Sequence, residues 1–220
     1  MTDAPAGRAA GRADPIVSFG PAANPALLTA LSSLADRTRE LVEAVVLSDV
    51  AIAELGAAAA EIGDLATRLG MRRRTAPIPF EVDPDGRLRQ PHSPVTGEAN
   101  PLAPPVRIVT TAKGTVHAEF VLGAVYEGPP DAAHGGVCAA IMDQLLGFAA
   151  AAGDRPGMTA ALTLRYRRPT PLGAPLVAEA WISGMAGRTT TVDGRILTER
   201  GAPTVEASGE FVLPRRWQPG

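Results

Sequence analysis

The stretch that most limits the possible folds is a nearly continuous apolar run at residues 135–152, GGVCAAIMDQLLGFAAAA. A helix of this composition must be covered on most of its surface. Because strand-like segments lie on both sides of it, we predict an α+β domain in which a curved antiparallel sheet wraps around the helix. One carboxylate, Asp143, interrupts the run. An unpaired buried carboxylate is costly, so Asp143 must be hydrogen-bonded, protonated or facing a wet cleft.

The strands of this sheet are predicted from alternation and turn residues. Two short strands flank a turn at Lys113 and Gly114, and four more follow the helix at 158–169, 175–187, 188–200 and 202–214. In the first of these four, Ala161, Thr163, Arg165 and Arg167 alternate with Leu162, Leu164 and Tyr166. The two sets are expected on opposite faces of the sheet.

The first half of the chain divides into three segments by composition. Residues 1–24 are rich in Ala, Gly, Pro and Arg and are predicted to be a disordered tail. Apolar residues three or four apart predict a helical extension over 25–72, either two helices or one long helix broken near 48–49. Asn24 is expected to cap the first helix, and Ser48 or Asp49 the second. Residues 73–105 form a Pro-rich linker with one possible short edge strand at 79–83, and the sheet domain covers 106–214.

The N-terminal helices have two possible roles. The simpler interpretation is that they pack over hydrophobic surface, and the alternative is a dedicated role in binding a partner or covering the substrate.

Charge and cysteine content exclude several classes of function. The net charge of −2 argues against a nucleic-acid or anionic-membrane surface. The single cysteine, Cys138, rules out a disulfide within the chain and is expected to be buried and inert. No apolar run appears long enough to span a bilayer, and no targeting segment is apparent, so a cytoplasmic protein is expected. The three histidines lack ligand spacing, so no metal site is predicted.

Gly135 and Gly136 fall in the first turn of the apolar helix. The first N–H groups of a helix have no internal partner and lie at the positive end of its dipole. Bare glycine amides there would suit an oxygen on which negative charge develops, although the glycines could also serve only a tight turn. Gly135 and Asp143 are eight residues apart, roughly 12 Å along a helix. Since a base and an oxyanion donor must both lie close to one reacting carbon, we expect two antiparallel copies to share two sites in a homodimer.

The segments GPPDAAHGGVCAAIMDQLLG and MTAALTLRYRRPTPLGAPLVAEA resemble the hotdog-fold acyl-CoA thioesterases, in particular the branch of the phenylacetate-pathway and thioesterase-superfamily enzymes. VTGEANPLAPPVRI, upstream, is similar to the Gly-x-x-Asn-Pro segment that often precedes the first hotdog strand. The resemblance covers about residues 95–213. It implies a sheet around one long helix, dimerisation into a continuous sheet, and hydrolysis of an acyl-CoA thioester as substrate, without a further cofactor.

The resemblance also implies roles for individual residues. Asp143 takes the position of the general base or nucleophile, and Gly135, or else Gly136, that of the amide that polarises the thioester carbonyl. His134 matches a motif histidine that mostly fixes the loop, and Thr159 matches the hydroxyl residue that orients the attacking water. Some relatives carry an Asn six residues before the histidine, where this chain has Gly128.

The sequence is compatible with alternatives on three further points. Arg165, Arg167, Arg168 and Arg188 are either solvated or bind the phosphates of coenzyme A, for which Arg geometry is suited. The main alternative function is a non-catalytic hotdog module that binds acyl-CoA or lipid, and another CoA-linked activity such as a dehydratase is less well supported. Dimers could also pair into tetramers.

Overall fold

The computed structural model of the protein describes residues 24–78, 81–82 and 88–215. Of the predicted tail at 1–24, only Asn24 lies within these residues, so that prediction falls outside the described part of the chain. A short edge strand was possible at 79–83. Three of these five residues also lie outside the described part of the chain, and the other two, Glu81 and Val82, form a strand.

The apolar run forms one uninterrupted helix, α3, at Gly135–Ala152, as predicted. Its buried residues are Cys138, Ile141, Met142, Leu145, Leu146, Ala149 and Ala150. By length and composition alone this helix could cross a bilayer, so the expectation that no run is long enough is wrong as stated. In the structure the helix instead lies against the sheet, and its apolar length is used inside the domain.

The sheet has six antiparallel strands and confirms the predicted α+β architecture. Their bounds are β3 Arg107–Ala112, β4 Thr115–Val121, β5 Met158–Tyr166, β6 Pro175–Ala186, β7 Thr189–Thr198 and β8 Pro203–Val212. The order across the sheet is β3-β4-β6-β7-β8-β5, so the strand that follows α3 crosses over to one edge. Gly114 has φ +71° in the β3–β4 turn, a conformation that glycine adopts without strain.

One face of the sheet supplies the core. Alternate residues of the central strands point at α3, and this inner face contains Val116, Ala118, Phe120, Leu176, Ala178, Ala180, Val192, Ile196, Val205 and Phe211. Gly194 and Gly209 lie among them, and a Cβ at either would come within about 3 Å of Leu146. These glycines let the helix approach the sheet closely, which fixes the position of every side chain on α3.

The N-terminal segment forms two helices, α1 Pro25–Val46 and α2 Ile52–Gly70, with the break close to the predicted position. Asn24 caps α1 as predicted, since its Oδ1 accepts a hydrogen bond from the Ala26 N–H at 3.0 Å. The prediction for α2 is wrong: its N-cap is Ala51, and neither Ser48 nor Asp49 caps it. The chain at 48–51 is extended before α2 begins, which moves both polar side chains too far upstream to reach its first amides.

The linker wraps over the domain and carries only two very short strands among its described residues, β1 Glu81–Val82 and β2 Leu88–Arg89, which pair with each other. Arg39 of α1 holds the linker in place through hydrogen bonds. Its guanidinium donates to the carbonyl oxygens of Asn100 at 2.8 Å and Ala103 at 3.1 Å, and to Asp36 at 2.6 Å. Because its side chain is 23% exposed, these bonds form largely away from water.

Replacing Arg39 with Ala should therefore destabilise the protein by about 2–3 kcal/mol, the range for hydrogen bonds to a charged group that leave acceptors unpaired. Urea denaturation measures the change. The matched control is Arg37→Ala, two residues earlier on α1, whose exposed pair with Glu40 should contribute less than about 0.5 kcal/mol. Equal effects of the two substitutions would contradict this role for Arg39.

Candidate active site

Asp143 is half-buried in the middle of α3, and a hydroxyl group satisfies it. Thr159 Oγ1 on β5 donates a hydrogen bond to Asp143 Oδ1 at 2.8 Å. Within the described residues Oδ2 has no protein donor, so this oxygen is available to a water molecule or a substrate. Of the three states expected for this carboxylate (hydrogen-bonded, protonated or facing a wet cleft), the structure shows the first, on a half-buried side chain.

A β-bulge places Thr159 on the correct face for this contact. Thr159 pairs with Phe211 of β8 and Ala161 pairs with Glu210, so Ala160 is the extra residue. Strict alternation would have put Thr159 on the outer face with Ala161 and Thr163. The bulge shifts the phase of β5 by one residue, as such irregularities do, and turns the Thr159 hydroxyl towards α3.

The N–H groups in the first turn of α3 distinguish the two candidate glycines. Gly136 N–H donates to His134 Nδ1 at 3.0 Å, and the N–H groups of Val137 and Cys138 both donate to the His134 carbonyl oxygen. No residue in the described ranges accepts a hydrogen bond from the Gly135 N–H. Gly135 is therefore the free donor at the positive end of the helix, and Gly136 is not.

His134 acts here as the N-cap of α3, with φ −60° and ψ 131°. Because Nδ1 accepts from an amide, the imidazole that makes this bond carries its proton on Nε2. The His134 N–H in turn donates to the Tyr126 carbonyl oxygen at 2.8 Å. These bonds agree with a histidine that fixes the loop.

Tyr166 is the residue that sequence reasoning did not assign to the site. Its hydroxyl donates to the Gly135 carbonyl oxygen at 2.9 Å, and a Cβ on Gly135 would lie 3.3 Å from its ring. Together with the His134 cap, this bond holds the Gly135–Gly136 peptide group at both ends. The available signal was its position on the inner face of β5, within the Tyr-x-x-Pro pattern that follows Thr159 along the chain.

Close packing against His134 explains why residue 128 is a glycine. A Cβ at this position would lie 2.7 Å from His134 Cα, so the chain passes too close for any side chain. The site therefore cannot contain the additional Asn side chain of some relatives at residue 128 unless the loop moves.

Within one chain the acid and the free amide do not meet. Gly135 and Asp143 lie on the same uninterrupted helix, and eight residues correspond to about 12 Å of rise. One carbonyl group cannot contact both. A groove of about 610 Å³ between α1, β3 and the linker does not bring the two groups together, because Phe148 is the α3 residue that lines it and Asp143 is not part of it.

The structure does not bring the four predicted phosphate-binding arginines together. Arg165 and Arg167 line a cavity of about 420 Å³ on the outer face of the sheet, where Arg167 pairs with Glu206 at 2.6 Å. Arg188 lies in the β6–β7 turn and donates to the Leu213 carbonyl oxygen. Arg165 pairs with Glu206 of β8, and Arg188 precedes Thr189, which pairs with Val212 of the same strand. Roughly 20 Å of β8 therefore separates the two arginines.

Cys138 is buried at the base of α3, as expected. Burial raises the pKa of its thiol, and a weak contact with the Thr170 hydroxyl lowers it to a smaller degree. A raised pKa leaves little thiolate at neutral pH, so this thiol is a poor nucleophile.

The chain is similar to several known proteins. Residues 131–205, which include the His134 turn, Asp143 and Thr159, match the family described as the thioesterase superfamily. A crystal structure of a thioesterase superfamily protein is 35% identical, with a TM-score of 0.75, and the alignment covers 90% of this chain and 98% of that one. The E. coli PaaI protein from the phenylacetic acid degradation operon is 18% identical over 49% of this chain and 82% of its own, with a TM-score of 0.47.

Among curated proteins, acyl-coenzyme A thioesterase THEM4 of Xenopus laevis is 36% identical over 69 residues. That match spans 31% of this chain and 31% of the relative. The chain therefore matches about a third of the length of this curated relative.

The assignment of His134 as a cap can be tested by two substitutions. His134→Ala removes the acceptor for Gly136 N–H and should lower the free energy of unfolding by about 1 kcal/mol. His134→Asn supplies another N-cap acceptor and should restore most of that stability. Urea denaturation with parallel turnover assays measures both. A His134→Asn variant that is stable but has lost turnover would show that the imidazole does more than cap the helix.

Proposed function

This chain belongs to the thioesterase superfamily, and we propose that it hydrolyses acyl-coenzyme A thioesters to free acid and coenzyme A at sites shared by two copies. The observation that carries the proposal is the separation of two functional groups on one helix. Asp143, bonded to Thr159, and the free Gly135 N–H are about 12 Å apart in a chain, yet each provides half of what thioester hydrolysis needs.

The exposed edge of the sheet supports the dimer. Among the described strands β5 is hydrogen-bonded only to β8, so within the described structure its other edge is an unpaired row of backbone groups. Met158 and Tyr166 at its two ends are 49% and 57% exposed. A second copy that pairs through β5 about a two-fold axis would place two α3 helices antiparallel, so that each Asp143 faces the Gly135 turn of the other chain.

The chemistry follows from these positions. A water molecule held by the Thr159 hydroxyl and Asp143 Oδ2 loses a proton to the carboxylate as its oxygen attacks the thioester carbon. The Gly135 N–H of the partner subunit donates to the carbonyl oxygen, which becomes an oxyanion. When the oxyanion collapses, the C–S bond breaks, and the proton held by Asp143 passes to the departing sulfur. Free acid and the coenzyme A thiol are the products.

The Thr159 bond favours this route over direct attack by Asp143. The hydroxyl gives its proton to Oδ1 and keeps its lone pairs to accept a hydrogen bond from water, which suits it to hold a nucleophilic water. Direct attack would instead form a mixed anhydride. A single turnover in ¹⁸O-labelled water separates the two routes, because only the anhydride route leaves the label in the Asp143 carboxylate when water attacks the aspartyl carbon.

Arg165 and Arg168 are the better candidates for the phosphates of coenzyme A. Both lie at the end of β5 that reaches the Gly135 turn, and in the described part of the chain neither side chain has a protein acceptor. Arg167 is already paired with Glu206 and Arg188 is remote. A cytoplasmic location and further pairing into tetramers remain predictions from the sequence.

Asp143→Asn should leave the fold intact and lower kcat/KM by about 10²–10⁴-fold, since the amide cannot accept the proton of water. The matched control is Asp154→Asn, an exposed aspartate at φ 60°, a conformation that Asn adopts readily. Thioester hydrolysis is followed with a thiol reagent over a panel of acyl-CoA chain lengths. Unchanged turnover in Asp143→Asn would end this assignment, and tight binding without turnover by the unmodified protein would favour a binding module.

Gly135→Pro should remove the oxyanion donor selectively. Proline suits the first position of a helix, and His134 already has the backbone conformation preferred before proline. The substitution breaks no hydrogen bond within the described structure, so the loss in kcat should reflect the missing donor and reach about 10²–10³-fold. Gly135→Ala keeps the N–H and adds the same Cβ, and it should lose far less activity. Similar losses in both variants would point to packing against Tyr166 instead.

A further inference from the structure

Helix α2 presents an apolar stripe that the described part of its own chain does not cover. Its apolar positions alternate three and four apart along one face, at Ile52, Leu55, Ala59, Ile62, Ala66 and Leu69. None of its residues is buried against the described part of the chain, and Ile52 is 88% exposed. This spacing is the heptad seam through which one helix packs on another.

Helix α1 presents a second stripe of the same kind. It contacts its own domain through Leu28 and Ala35, the two buried residues, and Arg39 holds it there. A neighbouring row, Leu27, Leu34, Leu41 and Val45, stays exposed. The two stripes do not cover each other, because no packed α1–α2 pair exists among the described elements.

Together these helices leave too much apolar surface exposed for an isolated chain. Thirteen of the nineteen large hydrophobic residues found exposed in the described structure lie between residues 27 and 71. Summed over both helices their exposed surface is on the order of 1,000 Å², whereas an ordinary monomer rarely has a contiguous apolar patch above a few hundred Å². A specific protein interface takes roughly 800 Å² from each partner, so the area suits one full interface.

Small residues beside the α2 stripe indicate that its partner is a helix. Gly56, Gly63 and Gly70 recur every seven residues directly after Leu55, Ile62 and Leu69. A Cβ on Gly56 or Gly63 would meet nothing within 4 Å, so these glycines face open space. Because the glycines leave this flank of α2 without side chains, a second helix can approach α2 closely along its whole length.

We infer that the α2 stripe packs on the exposed α1 stripe of a second copy, and that the α1 stripe receives the partner subunit's α2. Each chain has one stripe on α1 and one on α2, and the two helices are of similar length, 22 and 19 residues. A two-fold exchange therefore covers all four stripes of a dimer. This inference rests on the proposed function for its second copy, and it adds an interface to the shared sites.

The position of α1 makes this exchange continuous with the proposed dimer. Near its C-terminal end α1 packs on the turn at Ala124–Tyr126, and the Tyr126 carbonyl oxygen holds the His134 turn. The chain thus enters α2 on the side of the molecule where the second copy meets Gly135. The charges on α2 are Glu54, Glu61, Asp64 and Arg68, a net negative set that disfavours docking on an anionic lipid surface.

Cross-linking between two distinguishable chains tests the exchange. One full-length chain carries Leu34→Cys and the other, with a different tag, carries Ile62→Cys, both in a Cys138→Ala background that removes the native thiol. A short bismaleimide should join the two chains. Adding Leu55→Glu to the second chain should reduce the joined product at least about tenfold, because it buries a carboxylate in the seam. Ala57→Glu, on the opposite face of α2, should leave it unchanged.

The outcomes separate this inference from the proposed function. A dimer mass by sedimentation without the Leu34–Ile62 product would overturn the exchange and leave the shared catalytic site standing. So would a product formed only when both cysteines lie in one chain, or binding of α2 to phosphatidylglycerol vesicles in place of the cross-link. If the cross-link forms but Asp143→Asn retains full turnover, the exchange stands and the proposed hydrolysis fails.

Discussion

Helix α3 is apolar on most of its surface and has to be covered, and the rest of the domain is arranged to cover it. The sheet covers it with an inner face of small and branched residues, and glycines at 194 and 209 let it approach closely. The one acidic side chain in the helix is directed to the β5 edge of this cover, where Thr159 satisfies it. A carboxylate in an apolar helix is thus stable because it lies where the sheet ends.

The same helix is also the basis for proposing that the active sites are shared between two chains. Its first turn leaves a single amide, that of Gly135, without an acceptor among the described residues, while Tyr166 and His134 hold the next peptide group. The acid lies two turns further along, out of reach of any atom that the amide contacts. In the proposed dimer, two antiparallel helices would supply both halves of the site twice. The unpaired β5 edge provides a means to bring them together.

Sequence patterns predicted the parts whose physics is local. The helix at 135–152, the six main strands, the α1 cap and the Asp143, Gly135 and Thr159 candidates could all be found from periodicity, turn residues or resemblance. What could not be predicted depends on contacts across the sheet. Alternation alone would turn Thr159 outward, and only its pairing with Phe211 reveals the bulge. Tyr166 acts through a carbonyl oxygen 31 residues away, and the uncovered α2 stripe depends on where the chain leaves α1.

The most direct test of the shared site mixes two inactive variants. Gly135→Pro lacks the donor and Asp143→Asn lacks the base. If each site takes one group from each chain, random 1:1 reassociation makes half of the dimers mixed, and each mixed dimer has one intact site. Activity should then recover to about a quarter of that of the unmodified protein. If one chain supplied both groups, no mixed dimer would contain an intact site, and activity that stays at the level of the separate variants would contradict the account.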